Sequence, residues 1–342
     1  MKTLDNLKIP VIQGGMGIGI SMGNLAGHVA KEGGMGVIST ANTGFREPDF
    51  WENPDEANER ALRAEIRKAR EIAQGNGMIA INAMVATCNF EKMIKAACDE
   101  GIDAVICGAG LPLELPKITE GRDVLIAPIV SSCKAAKMIK KVWDTRYGRE
   151  ADFYVVEGSN AGGHLGFKQD ELEKGTAQPL AEIVREVAEE AGELPVFAAG
   201  SVFDGDEIKE MLAAGAYGVQ IATRFIATEE CDATDGYKQM ILNADADQVT
   251  ILKSPVGMPG RGLETQLIKN IKAGKRLEPE TCIGCIRTCN PAETPYCISR
   301  ALIDAYYGKE ETGLFFCGSN VGRINEITTV KELMEELSAG WE

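Results

Sequence analysis

The sequence predicts an α/β protein of the (β/α)8 barrel type, the TIM barrel, with inserted segments and a C-terminal helical, cysteine-rich cap. Three observations carry that expectation. Short apolar runs rich in β-formers recur eight times, at 11–13, 36–39, 78–82, 104–107, 124–129, 153–156, 196–199 and 218–221. Helical periodicity fills intervals between them: within 134–146, Ala135, Met138, Ile139, Val142 and Trp143 fall on one helix face. Small and polar residues follow the runs, as expected where a parallel barrel keeps its functional loops at the C-terminal strand ends. Eight parallel βα units are the number that closes such a barrel.

Taken in order, Gln13-Gly14-Gly15-Met16 trails the first run, Asn82 closes the third and Cys107-Gly108 the fourth. A glycine loop with His164 follows the sixth, Gly200-Ser201 the seventh, and Thr223-Arg224 the eighth. These clusters would ring one mouth. The intervals are widest between the second and third runs and between the sixth and seventh, where inserted helices or loops are expected. An open doubly wound sheet is the competing fold, but no run is followed by G-x-G-x-x-G. Gly15, Gly17 and Gly19 alternate, and Ile20 and Met22 stand where the last glycine would fall. The barrel is expected over 1–228. Beyond it the pattern predicts helices at 264–275, 298–307 and 329–338 and a cysteine-rich loop at 277–297, so 229–342 reads as a cap packed on the barrel.

Composition narrows the partners. The 342 residues carry 44% hydrophobic side chains, enough to bury a sizeable core. A net charge of -15 opposes general attraction to nucleic acid or to an anionic membrane. No apolar run reaches the ~18 residues of a membrane span, and the first five residues lack the apolar stretch of a signal peptide. A cytoplasmic location and a small-molecule substrate are therefore expected, and a homodimer is compatible with the sequence. Ten cysteines in such a chain suggest reduced thiols, a metal site or redox chemistry rather than a disulfide framework.

The chemistry concentrates at 153–167. An apolar strand runs into a loop with Gly158, Gly162, Gly163 and Gly166, and this loop carries one of only two histidines in the chain. Glycines let backbone approach a ligand closely, and histidine titrates nearest neutrality. Gly200-Ser201 and Ala222-Thr223 follow the last two strands, where barrels commonly build a phosphate site from backbone N–H groups and a hydroxyl. The other histidine, His28, falls on a predicted helix on the side away from Leu25 and Val29 and reads as a surface residue.

The residues 9–16 (Ile-Pro-Val-Ile-Gln-Gly-Gly-Met), Ile81-Asn82-Ala83-Met84, Ala161-Gly162-Gly163-His164, 197–200 and 219–225 together resemble the FMN-dependent barrel family that contains nitronate monooxygenases, formerly called 2-nitropropane dioxygenases, and flavin-containing type II enoyl-acyl-carrier-protein reductases. The likeness covers roughly the first two-thirds of the chain with its motifs in order. It implies that FMN is held by Asn82, Glu157, Gly162, Gly163, Gly200, Gln220, Ala222 and Thr223, with Gly15, Met16, Gly108 and Ser201 close by. It implies His164 as the catalytic residue. The segment 316–320, with Gly318 and Ser319, resembles the C-terminal piece that closes against the flavin in the reductase branch. Ala222 stands where the family has glycine, and Ser201 replaces a second glycine while adding a hydroxyl.

Cys282, Cys285, Cys289 and Cys297 depart from the better-known members of either branch. Four clustered thiols suit an iron–sulfur cluster or structural zinc, while Pro291 and Pro295 and the nonstandard spacing fit simple packing of reduced thiols. Lys134, Lys137, Lys140 and Lys141 form a basic run, read as a solvated helix face or a docking patch for an acidic carrier protein. Three functions stay open. Oxidation of alkyl nitronates with O2, using His164 as acid or base, is placed first. Reduction of an enoyl thioester with NAD(P)H as co-substrate is the alternative, with an acyl-carrier protein as partner under that reading alone. A non-redox barrel that binds a phosphorylated metabolite is the reading from another class.

Overall fold

The computed structural model describes residues 2–200 and 202–341. Its strands are β1 (Val11–Gln13), β2 (Met35–Ser39), β3 (Met78–Met84), β4 (Ala104–Gly108), β5 (Leu125–Val130), β6 (Tyr154–Glu157), β7 (Gly163–His164), β8 (Val196–Ala199), β9 (Gly218–Ile221), β10 (Val249–Lys253) and β11 (Pro259–Leu263). β1 to β6, β8 and β9 pair in parallel and close into a barrel, the last strand hydrogen-bonding to the first. The eight strands coincide with the eight apolar runs to within a residue or two, and the barrel expectation holds.

Alternation along each strand sorts the side chains. One phase fills the barrel interior: Ile12, Met35, Val37, Met78, Ala80, Ala104, Ile106, Phe153, Val155, Phe197 and Ala199 form a cluster of their own. The other phase, including Ile38, Ile81, Val105, Ile126, Tyr154 and Val156, packs outward with the surrounding helices. Period two makes this division inevitable in a strand buried on both faces. Continuing the inward phase one step to the C-terminal end of every strand reaches Gly14, Ser39, Asn82, Gly108, Ile129, Glu157, Ala199 and Gln220. These eight residues, one per strand, form the uppermost layer of the barrel, and all of them line the cavity at its mouth.

The wide intervals hold what their length allows. Pro54–Ala73, a 20-residue helix begun by proline in its first turn, occupies the gap before β3. Gln169–Lys174 and Leu180–Ala191 occupy the gap before β8.

The C-terminal region contains helices Asp235–Leu242, Gln266–Lys272, Ile298–Tyr306 and Val330–Ser338. The last is capped by Thr329, whose hydroxyl accepts from the Glu332 N–H at 3.1 Å, while the Glu332 carboxylate accepts from the Thr329 N–H at 3.0 Å. Arg224, just after β9, fixes this helix to the barrel with two 2.7 Å bonds to Glu336. The sequence predicts only helices and a cysteine-rich loop here, but the region also contains strands. β10 and β11 form an antiparallel hairpin, and β11 pairs antiparallel with β7, Gly260 opposite His164. Pro259, Gly260 and Gly262 in β11 hide it from a propensity reading, and the predicted helix at 264–275 is observed as Gln266–Lys272, ending before Gly274, whose φ is 80°.

Candidate active site

The cavity at the C-terminal mouth gathers residues from every barrel strand end and from the C-terminal region. Strand register sets the polar groups at its floor. Glu157 is opposite Ala199, and Ala199 is opposite Gln220, so the carboxyl and the amide flank one small side chain at one level. Ser39 is opposite Asn82 at the far side of the ring. Gln220 Oε1 is buried without a partner, and the Glu157 carboxyl likewise takes no hydrogen bond, among the described residues. Burial alone pushes the Glu157 pKa up to about 8. At neutral pH it is therefore mainly the neutral acid, able to donate one hydrogen bond and accept others.

A buried unpaired amide oxygen costs free energy unless something reaches it. Together with a neutral carboxyl, Asn82 and a ring of small residues, it fits a planar ligand with several hydrogen-bonding edges. The small residues matter sterically. A Cβ at Gly15 would come within 2.3 Å of the Asn82 Cβ, and one at Gly162 within 2.4 Å of the Cys317 carbonyl carbon. The helix Thr223–Ile226 begins where β9 ends, and Ala222, Thr223 and Gly200 line the adjacent wall. Small residues and a helix start at that corner could receive a phosphate. The donor set thus fits FMN.

His164 also lines this cavity. Its Nε2 and the Ser254 Oγ share a hydrogen bond of 2.8 Å, and its ring meets that of Phe316 edge-on at 5.1 Å. Burial lowers its pKa to about 4, so the imidazole is neutral near pH 7. The loop that carries it is held from the C-terminal hairpin. The Arg261 guanidinium donates to the Ala161 carbonyl at 3.0 Å and also to that of Ser159, and the Leu165 N–H donates to Pro259 O at 2.9 Å.

Of the residues expected from the sequence, Gly15, Met16, Asn82, Gly108, Glu157, Gly162, Gly163, His164, Gly200, Gln220, Ala222, Thr223 and Gly318 all border this one cavity. Ser319 stands outside the lining, its N–H bonded to Asn160 O at 3.1 Å. Ser201 lies outside the described residues. The Thr223 hydroxyl accepts from the Gly318 N–H at 3.0 Å and so joins the barrel to the 316–320 segment. His28 is half-buried on helix Gly23–Lys31, with Nδ1 2.9 Å from Asn24 O, away from the cavity. Lys137 and Lys140 lie 3.6 and 3.8 Å from the Glu190 carboxylate.

Sequence reasoning missed Ser254 and Arg261, whereas Phe316 belongs to the 316–320 segment that the resemblance placed against the site. Both missed residues lie in the C-terminal region, and the pairing of β11 with β7 brings them to the loop after β6. It also missed how the cysteine-rich loop is used. Ile283, Gly284, Cys285 and Ile286 wall the cavity. Ile286 bridges to Thr87, and the Cys88 N–H donates to Cys285 O at 3.0 Å. Among the described residues no group of three or more His, Cys, Asp or Glu side chains is arranged to hold a metal ion. Cys282, Cys285, Cys289 and Cys297 form no disulfide. The Cys285 sulfur accepts from Ser299 Oγ at 3.0 Å, and burial raises its pKa to about 11, with the neighbouring thiols adding to the rise. The iron–sulfur or zinc expectation therefore finds no metal-holding arrangement among these side chains.

Among the described residues no helix is long and apolar enough to cross a membrane. The family model described as nitronate monooxygenase matches residues 1–340. A dehydrogenase of Mycobacterium tuberculosis, named for (3aS,4S,5R,7aS)-5-hydroxy-7a-methyl-1-oxo-octahydro-1H-indene-4-carboxyl-CoA, is 25% identical, with 98% of this chain and 93% of that protein covered. A probable nitronate monooxygenase of Staphylococcus saprophyticus is 25% identical over 78% of each chain. Among solved structures, FabK from Thermotoga maritima superposes with a TM-score of 0.75 at 26% identity, covering 98% of this chain and 94% of that one. The match over almost the whole chain shows that this protein belongs to the nitronate monooxygenase family, and its activity class is that of an oxidoreductase.

Proposed function

We propose that the protein is an FMN-dependent nitronate monooxygenase that oxidises alkyl nitronates with O2. The observation that carries this reading is the presence, in the lining of one cavity, of two groups without hydrogen-bond partners among the described residues, the Glu157 carboxyl and Gln220 Oε1, together with one neutral histidine. Glu157, Gln220 and Asn82 would hydrogen-bond the polar edges of FMN, and Ala222, Thr223 and Gly200 would border its phosphate. Bound there, FMN would supply the redox chemistry. His164 would hydrogen-bond the nitronate group, and Phe316, Ile283 and Ile286 would shield the cavity from bulk water. Residues 229–342 act in this reading as a cap on the barrel of 1–228.

The purified protein should be yellow and release FMN, not FAD, on denaturation. His164→Ala should keep FMN bound while turnover drops by about 10²–10³-fold, the scale of losing one preorganised donor to a reacting anion. Near-normal turnover of that variant on its best substrate would remove His164 from the mechanism.

A second reading is favoured by the likeness to FabK across 98% of this chain: reduction of an enoyl thioester by NAD(P)H, with the neutral His164 stabilising the enolate through a hydrogen bond. Anaerobic stopped-flow distinguishes the two. Flavin reduction by an alkyl nitronate faster than by NADH or NADPH supports the first, and the reverse order supports the second.

A further inference from the structure

Ser254 lies in the turn between β10 and β11 and is only 3% exposed. The turn is closed by the Gly257 N–H to Ser254 O at 3.0 Å and the Ser254 N–H to Met258 O at 3.3 Å. Its hydroxyl oxygen accepts from the Val256 N–H at 3.3 Å and lies 2.8 Å from Nε2 of His164. The backbone of the turn and the pairing of Gly260 with His164 thus aim this hydroxyl at one nitrogen of the ring.

A serine hydroxyl has one hydrogen to give. Among the hydrogen bonds of the described residues, Nε2 of His164 is the one acceptor available to it, since the Val256 N–H is a donor. The arrangement that satisfies both partners has Ser254 O–H donating to Nε2. A neutral imidazole that accepts at Nε2 carries its hydrogen on Nδ1. Among the described residues Nδ1 has no protein partner, and His164 lines the cavity. Burial holds the ring neutral at ordinary pH, so a single tautomer can persist there.

We infer that Ser254 is a positioning residue that holds His164 in the Nδ1–H tautomer, so that the histidine offers the cavity a hydrogen-bond donor instead of a base lone pair. A donor suits a substrate atom that is already anionic, such as a nitronate oxygen, and does not suit removal of a proton from a neutral nitroalkane. That consequence for substrate class rests on the redox reading above. The tautomer itself does not.

The test is histidine-selective 15N labelling of the full-length protein and long-range 15N–1H correlation. The chain has two histidines, and His28→Gln assigns the spectrum. The His164 ring should show the Nδ1–H pattern in the native protein. Ser254→Ala should shift it toward Nε2–H or a mixture, and Ser254→Thr, which keeps a hydroxyl, should restore it. With FMN content unchanged, Ser254→Ala should lose about tenfold in kcat/KM on a preformed nitronate, the scale of one hydrogen bond, and the threonine variant should recover it. An Nε2–H pattern in the native protein, or one unaltered by Ser254→Ala, overturns the inference. The native spectrum decides the matter even if the alanine variant fails to fold, and it does so whether or not nitronates prove to be the substrate.

Discussion

Arg261 and Ala161 are joined across 100 residues of chain, the guanidinium of one donating to the carbonyl of the other at 3.0 Å. Arg261 is buried, and desolvation lowers its pKa, yet it spends its donors on the carbonyls of Ser159 and Ala161, at the start of the loop that presents His164. The post-barrel hairpin is thereby part of the site. Arg261→Met should lower stability by about 1.5–3 kcal/mol, the scale of hydrogen bonds to a charged group, and reduce turnover while FMN remains bound. Arg261→Lys should rescue only partly, because one ammonium cannot copy the fork of donors. Thermal denaturation and steady-state kinetics check this, and full turnover in the methionine variant would show that the loop holds itself.

Two adjacent glycines should behave differently. At Gly162 an added Cβ would strike the backbone of Cys317, whereas Gly163 faces open space but has φ of 79°. Gly162→Ala must push the 316–320 segment away from the loop and should weaken FMN binding markedly. Gly163→Ala should cost only the left-handed backbone, about 1–2 kcal/mol. Flavin titration and thermal shift of the two variants test the order, and greater damage from Gly163→Ala would contradict the geometry.

The pH dependence of stability follows from the two buried groups. Glu157 titrates near 8 in the folded chain against an ordinary 4.5. The folded state therefore binds a proton that the unfolded state has released, and the associated stability is full below about 4.5 and lost as pH rises toward 8. His164 has the opposite sense, since its folded value near 4 lies below 6.5 and its penalty grows as pH falls between those limits. Of the two, only Glu157 slopes between pH 6.5 and 8. Flavin-free protein should lose melting temperature across that interval, and Glu157→Gln should flatten the loss. An identical slope in both proteins would show that Glu157 does not titrate there.

The cysteine-rich loop should be dispensable for the cofactor. Cys285 contributes to the cavity wall through a protonated thiol that accepts from Ser299. The double variant Cys285→Ser, Cys289→Ser should retain FMN, and its iron and zinc content should match that of the native protein. Stoichiometric metal in the native protein that disappears in the variant would reveal a centre formed by those thiols.

The barrel was legible in the sequence because its cause is local. Eight apolar runs can be counted without knowing any contact, and Asn82 stands out as the residue that closes the third; Glu157 and Gln220 were legible only through the family resemblance. His164 was legible through rarity and its glycine surroundings. The partners of His164 were not. Ser254 and Arg261 sit about 90 and 97 positions beyond it, in a hairpin whose prolines and glycines suppress the strand signal, and their approach depends on β11 pairing with β7. The cysteines show the same limit from the other side. Their spacing suggested a metal, but spacing along a chain says nothing of where each sulfur points, and burial against Ser299 and the cavity wall is decided by the tertiary fold. Hydrophobic periodicity is a property of neighbours in sequence; hydrogen bonds between distant loops exist only once the barrel has brought them together.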